Sequence, residues 1–230
     1  MKNLSKAIGV LGLRKFIEVL CVSCFCQASC AGTLYHFSGD EIIAFEEAGQ
    51  VVGGYSSVAR VDGKSLQCKF FFKTFNSEEK KAGRKIFAEE KNKYFRAKAS
   101  GRLYRDEDDW RVQMDLPSVG CRLFPWRLFS DDKNVAGVFS VKDSKSALGL
   151  FVLKTDSSYY DVIDGHFDAR KSRHESLLKN DLVAVIERRG DFSLIDHYDG
   201  YGVGAYRVRS SGWVKSSDIG LEISRKLIAH

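Results

Sequence analysis

The stretch RSSGWVKSSDI, residues 209–219, sets a large aromatic, Trp213, between Gly212 and Val214 and follows it at once with Lys215 and two serines. Successive side chains of a strand point to opposite faces. Val214 is therefore expected to point inward and Lys215 to water. Gly212 lets the backbone bend or approach closely while Trp213 covers one end of a small barrel. Ser216-Ser217-Asp218 has the polar composition of a closing turn. Upstream, Leu182, Ala184 and Ile186 alternate with Val183, Val185 and Glu187, and Arg188 to Asp191 make a charged turn that contains a glycine. Phe192, Leu194 and Asp196 alternate with Ser193, Ile195 and His197 in a second strand. The end of the chain thus reads as short strands joined by tight turns.

The same period of two recurs earlier. Leu66, Cys68, Phe70 and Phe72 share one face against Gln67, Lys69 and Lys73, and Trp110, Val112, Met114 and Leu116 oppose Arg111, Gln113 and Asp115. Val119, Cys121 and Leu123 group likewise. Turn-forming runs such as FSGDE, RVDGKS and SDDKN separate these segments, a spacing that predicts an all-β barrel or sandwich. One helix candidate, Asn76 to Phe95, has acidic residues in its first turn but contains Gly83; a charged loop leading into a strand around 85–89 fits it as well. A polar run at 140–149 marks a boundary between a first β domain, 32–140, and a second, 147–225.

At 230 residues, with 44% hydrophobic and 29% charged, the chain has the composition of a globular protein and not of a disordered one. Its start differs from the rest: Lys2, Lys6, Arg14 and Lys15 precede an apolar stretch from Phe16 to Cys26 and then small residues. That order predicts a secretory signal over 1–31, with cleavage near Gly32 and a periplasmic or secreted product. A buried N-terminal helix of a cytosolic protein is the alternative. The apolar stretch is short and holds Glu18, so no permanent membrane span is expected. Cys30, after Gln27-Ala28-Ser29, is a candidate lipid anchor.

Removal of 1–31 lowers the net charge from +6 to +3 and leaves Cys68 and Cys121 as the remaining cysteines. In an oxidising compartment an even pair reads as one disulfide, and both residues fall on apolar strand faces. Two buried free thiols in a cytosolic core are the alternative.

The C-terminal pattern resembles the bacterial SH3-like domain. Its counterparts here are Lys179-Asn180-Asp181, Val183-Ala184-Val185, Gly190-Asp191-Phe192 and Gly212-Trp213-Val214-Lys215-Ser216-Ser217-Asp218-Ile219, covering roughly residues 147 to 222. The resemblance implies a small SH3-like barrel and a role in the cell envelope. Phe192 stands where the family has Trp, and DGHFDARKSRHES (164–176) departs from its pattern, so no family ligand residue is carried over. The first domain is loosely similar to small envelope β-proteins such as periplasmic lysozyme inhibitors, through Cys68-x-Phe70-x-Phe72 and Gly120-Cys121.

No catalytic constellation emerges. His36, His166, His174, His197 and His230 show no metal-ligand spacing, and His166 reads as a solvated loop residue. Asp196 and His197 sit on opposite faces of a strand, which argues against an acid–base pair. Neither a nucleophile elbow nor a phosphate loop is present, and no cofactor is expected. Residues 78–105 carry ten Lys or Arg against four Glu, interleaved with Phe87, Tyr94, Phe95 and Tyr104. Export argues against nucleic acid as their partner. They read either as a solvated sheet edge or as a docking face for an acidic partner. The expected function is a non-catalytic, exported binding protein for peptidoglycan or an envelope protein; the alternative is an inhibitor or immunity protein against a cell-wall hydrolase or toxin. Trp213, Phe192, Lys80, Lys81, Arg84 and Lys85 are the candidate contact residues.

Overall fold

A computed structural model of the chain describes residues 31–74, 83–91, 96–115, 121, 137–170, 177–198 and 205–223. The leader with Cys30, and also Lys80, Lys81, Tyr94, Phe95, Leu116, Val119, Leu123, His174 and His230, lie outside them. The described chain is almost entirely β, in two antiparallel sheets, and no helix within it is long and apolar enough to cross a membrane.

The first sheet is a closed up-and-down barrel of eight strands in sequence order. These are β1 (Gly32–Phe37), β2 (Ile42–Glu47), β3 (Gln50–Val61), β4 (Lys64–Thr74), β5 (Arg84–Lys91), β6 (Arg96–Asp106), β7 (Asp109–Met114) and β8 (Gly137–Ala147). The alternation seen in sequence sets its interior. Cys68, Phe70 and Phe72 of β4 meet Trp110, Val112 and Met114 of β7, together with Phe37, Tyr55 and Phe139. Eight strands leave an interior that side chains alone can fill. Cys68 and Cys121 are both buried there and joined by a disulfide, their Cα atoms 4.6 Å apart. Cys121 itself occupies a turn. The helix candidate is corrected over Arg84–Lys91, which is a strand: Gly83 takes φ +79°, and β5 pairs with both β4 and β6.

The second sheet has the order β11-β10-β14-β13-β12-β9-β15. Its strands are β9 (Gly149–Leu153), β10 (Tyr160–Ile163), β11 (His166–Ala169), β12 (Leu182–Arg189), β13 (Phe192–Tyr198), β14 (Val208–Lys215) and β15 (Ile219–Glu222). A single 3₁₀ turn, Ser216–Asp218, stands where the sequence placed a closing turn. The polar run 140–149 is strand β8 through Ala147, and Leu148 alone separates it from β9.

Residues 31–230 form one compact unit, and the sheets meet face to face. Leu34, Ile43, Phe45 and Val52 of the barrel pack against Leu150, Val152, Leu182, Ala184 and Tyr198 of the sheet. The opposite sheet face, with Phe151, Leu153, Val183, Val185, Ile195 and Val214, encloses a core of its own. This two-sided burial explains why β9 is apolar without alternation. A bulge lets β8 serve both surfaces. Its register against β1 shifts between His36 and Phe37, so Phe139 and Val141 line the barrel core while Asp143, Lys145 and Ala147 turn toward the sheet. Tyr206 completes the joint: its ring is fully buried over Gly54 of β3, and its backbone N–H donates to the Asp40 carbonyl at 3.0 Å.

A candidate ring-lined binding face

The face of the sheet that packs on the barrel at Ala184 and Asp196 continues beyond it through β13, β14 and the β10–β11 hairpin. Antiparallel register puts side chains of directly opposed residues on one face. Leu194 opposes Trp213, Trp213 opposes Tyr160, Phe192 opposes both Lys215 and Arg189, and Val162 opposes Phe167. The hairpin exists because Asp164 and Gly165, at φ +50° and +81°, supply the two left-handed residues of a tight turn between alternating runs. It folds Phe167 onto Phe192, with centroids 4.0 Å apart and rings nearly parallel. Phe167 also meets Trp213 edge-on at 5.2 Å, and Tyr160 meets Phe192 at 4.9 Å. All four rings are half-buried.

Two cations border the rings. The Arg189 guanidinium lies 5.0 Å from the Trp213 ring and the Lys215 ammonium 5.9 Å from that of Tyr160. Arg189 also contacts Glu187 at 3.1 Å. Flat aromatic faces held beside positive charge can stack on sugar rings or planar groups and attract carboxylates.

Of the six contact residues expected from sequence, Trp213 and Phe192 are brought together here. Trp213 does not cap a barrel end: with Val214 buried and Lys215 exposed, alternation turns the indole onto the opposite, ring-lined face. Arg84 is held at the barrel end by Glu46, at 2.9 Å, and by the Gly49 carbonyl. Lys85, one residue on, points to the barrel's outer wall and is exposed. Phe167, Tyr160 and Arg189 escaped the sequence reading. The Asp-Gly turn at 164–165 was the signal for the first two. His166, expected in a loop, is the exposed first residue of β11.

A polar clasp joins the barrel to the sheet near this face. His36 Nδ1 lies 2.6 Å from Asp143 Oδ1, and its Nε2 lies 2.9 Å from the Tyr198 hydroxyl. An ionised carboxylate only accepts, so in neutral His36 Nδ1–H donates to Asp143 and Nε2 accepts from the phenol. Burial first, then the Asp196 and Asp143 carboxylates, push the Tyr198 hydroxyl above its usual range. It is held as a neutral phenol, enclosed by the joint. Asp196, nearly buried, pairs with Lys145 and accepts from Ser211 at 2.6 Å. His197, its sequence neighbour, faces Asp181 at 3.1 Å instead. Among the described residues, no group of three His, Cys, Asp or Glu side chains is placed to hold a metal ion. No family model, curated protein or solved structure matches the chain.

Proposed function

We propose that this protein is an exported, non-catalytic binding protein of the cell envelope that holds peptidoglycan through the ring-lined face of its second sheet. The observation that carries the reading is the cluster of Trp213, Phe167, Phe192 and Tyr160, half-buried at the sheet surface and bordered by Arg189 and Lys215. Peptidoglycan offers both things this surface suits, sugar rings to stack and carboxylates to pair. The polar groups of the joint are engaged with one another, which supports a binding role over a catalytic one.

An SH3-like reading of the second sheet is supported by the run β15-β9-β12-β13-β14, in which the last strand returns beside the first across a 3₁₀ turn. Export, with 1–31 as a cleaved leader and a periplasmic or secreted product, is supported by the basic–apolar–small order of those residues and by the disulfide.

The test is co-sedimentation of the purified protein with insoluble peptidoglycan, for the wild type and for Trp213→Ala and Phe192→Ala. Retention of the wild type with at least tenfold weaker retention of both variants is expected. Equal pelleting of all three, or no pelleting of the wild type, sinks the proposal. Recovery of a lytic enzyme from envelope extracts instead would move the reading to an inhibitor.

A further inference from the structure

The second sheet, unlike the barrel, is open, and its two borders differ. At one, β15 meets β9 in an irregular register, Ile219 opposite Leu153 and Glu222 opposite Phe151, which spoils it as a template. At the other, β11 pairs regularly with β10, and among the described residues nothing pairs with its outer side. His166, Asp168 and Ala169 of β11 are exposed and Phe167 is half-buried. The hydrogen bonding fixes which groups this border offers. The Arg170 N–H donates to the Tyr159 carbonyl at 2.8 Å. Backbone groups alternate in direction along a strand, so those of His166 and Asp168 also turn toward β10. The N–H and C=O of Phe167 and Ala169 therefore point outward. Such a row accepts a further strand unless charges guard it, and the charges here are of both signs. His166 and Asp168 share the face opposite Phe167, with Asp164 and Arg170 just beyond the two ends of the strand.

We infer that β11 joins a second copy of the chain, edge to edge and antiparallel, about a two-fold axis at Phe167. Outward groups must face outward groups, which leaves three registers over this short strand. Centred on His166, the pairing sets that residue against its own copy and Asp164 against Asp168, acid against acid. Centred on Asp168, it sets that carboxylate against its own copy and His166 against Arg170, donor against donor. Like groups directly opposed destabilise a ladder. Centred on Phe167, the pairing sets His166 against Asp168 of the second copy, twice, and Asp164 against Arg170. Like charges then stand only on the diagonals, about 7–8 Å apart, while donor and acceptor face each other at about 5 Å. Arg170 keeps its own partner, Asp161, at 2.7 Å, so His166 and Asp168 choose the register. Charges that repel a foreign strand thus admit a second β11. In this register Phe167 lies beside its own copy, and the two ring clusters become one continuous surface. The pairing holds whatever that surface binds. So short a ladder makes a small, reversible interface, dissociating at about 10–100 µM.

The test is sedimentation velocity of the full chain over concentrations reaching about tenfold either side of that value. A monomer–dimer equilibrium is expected. Ala169→Pro deletes an outward N–H and no hydrogen bond within the chain, so it should weaken dimerisation about tenfold or more while circular dichroism stays that of the wild type. His166→Asp and Asp168→His should each fail to self-associate, because each opposes like groups. An equimolar mixture of the two should dimerise again, since each supplies what the other lacks. This set decides the matter should Ala169→Pro not fold. A wild type that stays monomeric throughout, including one whose border takes up a foreign peptide instead, overturns the inference. So does a dimer that survives in folded Ala169→Pro or in either charge variant, or a mixture that does not regain it.

Discussion

Replacing Tyr206 by Phe should make this protein more stable, although it deletes a polar atom from a residue that fastens the two sheets together. The Tyr206 hydroxyl is fully buried, and no hydrogen-bond partner for it lies among the described residues. An unsatisfied buried hydroxyl costs about 1–3 kcal/mol, and loss of its packing in the Phe variant returns part of that, so a net gain of about 1 kcal/mol is expected. The same oxygen is the atom nearest to a β-carbon built on Gly54, with Tyr206 Cζ next at 2.9 Å. Gly54→Ala should therefore cost about 1–3 kcal/mol by overpacking. In the Tyr206→Phe background that cost should shrink by about 1 kcal/mol without vanishing, because the ring carbon stays close. Urea denaturation of the wild type, both single variants and the double variant closes the cycle. A second readout is pH. Burial raises the Tyr206 hydroxyl well above its ordinary value near 10. Its contribution is thus complete below about pH 10, and stability is lost as the pH rises further, because the unfolded chain ionises first. Tyr206→Phe should flatten that alkaline decline by about 1.4 kcal/mol per pH unit. Loss of stability in Tyr206→Phe, or strict additivity with Gly54→Ala, would show that the hydroxyl has a partner and refute the reasoning.

Further outcomes follow from other parts of the molecule. Replacing Cys68 and Cys121 together by Ala should lower the unfolding free energy by about 4 kcal/mol, from the 53-residue separation that the bond closes; urea melts with and without reductant, in wild type and variant, measure it. Lys145→Ala leaves the nearly buried Asp196 bonded to Ser211 and should cost about 1–2 kcal/mol, discounted because the lysine is partly exposed; an Asp196→Asn/Lys145→Ala pair should recover part of the loss. Phe167→Ala should unstack Phe192 and leave the edge of Trp213 open, weakening peptidoglycan retention while the midpoint of thermal unfolding drops by only a few degrees.

The β character of the chain was plain wherever one strand face is buried and the other wet. Cys68, Phe70 and Phe72 on β4 and Trp110, Val112 and Met114 on β7 announce themselves by alternation, and the disulfide follows from their placement. Alternation fails on β9, where Leu150 and Val152 pack on the barrel and Phe151 and Leu153 on the opposite core. It is reversed on β8 by a bulge that no local pattern marks. Half of the ring cluster was legible, since Trp213 and Phe192 lie on recognisable strands. The clasp was not: His36, Asp143 and Tyr198 meet across separations of 107 and 162 residues, set by how two sheets stack and by nothing nearby in the chain.

Closure of the barrel places its earliest strand against its latest. Gly32 through Phe37 pair with β8, whose last residue is Ala147, and Leu34 then seats the second sheet. Neither half can settle until well over a hundred residues have emerged from the ribosome, so folding is governed by distant encounters and is correspondingly slow. Once β1 docks, the rim of the barrel vanishes and that sheet has no open border left to recruit neighbours.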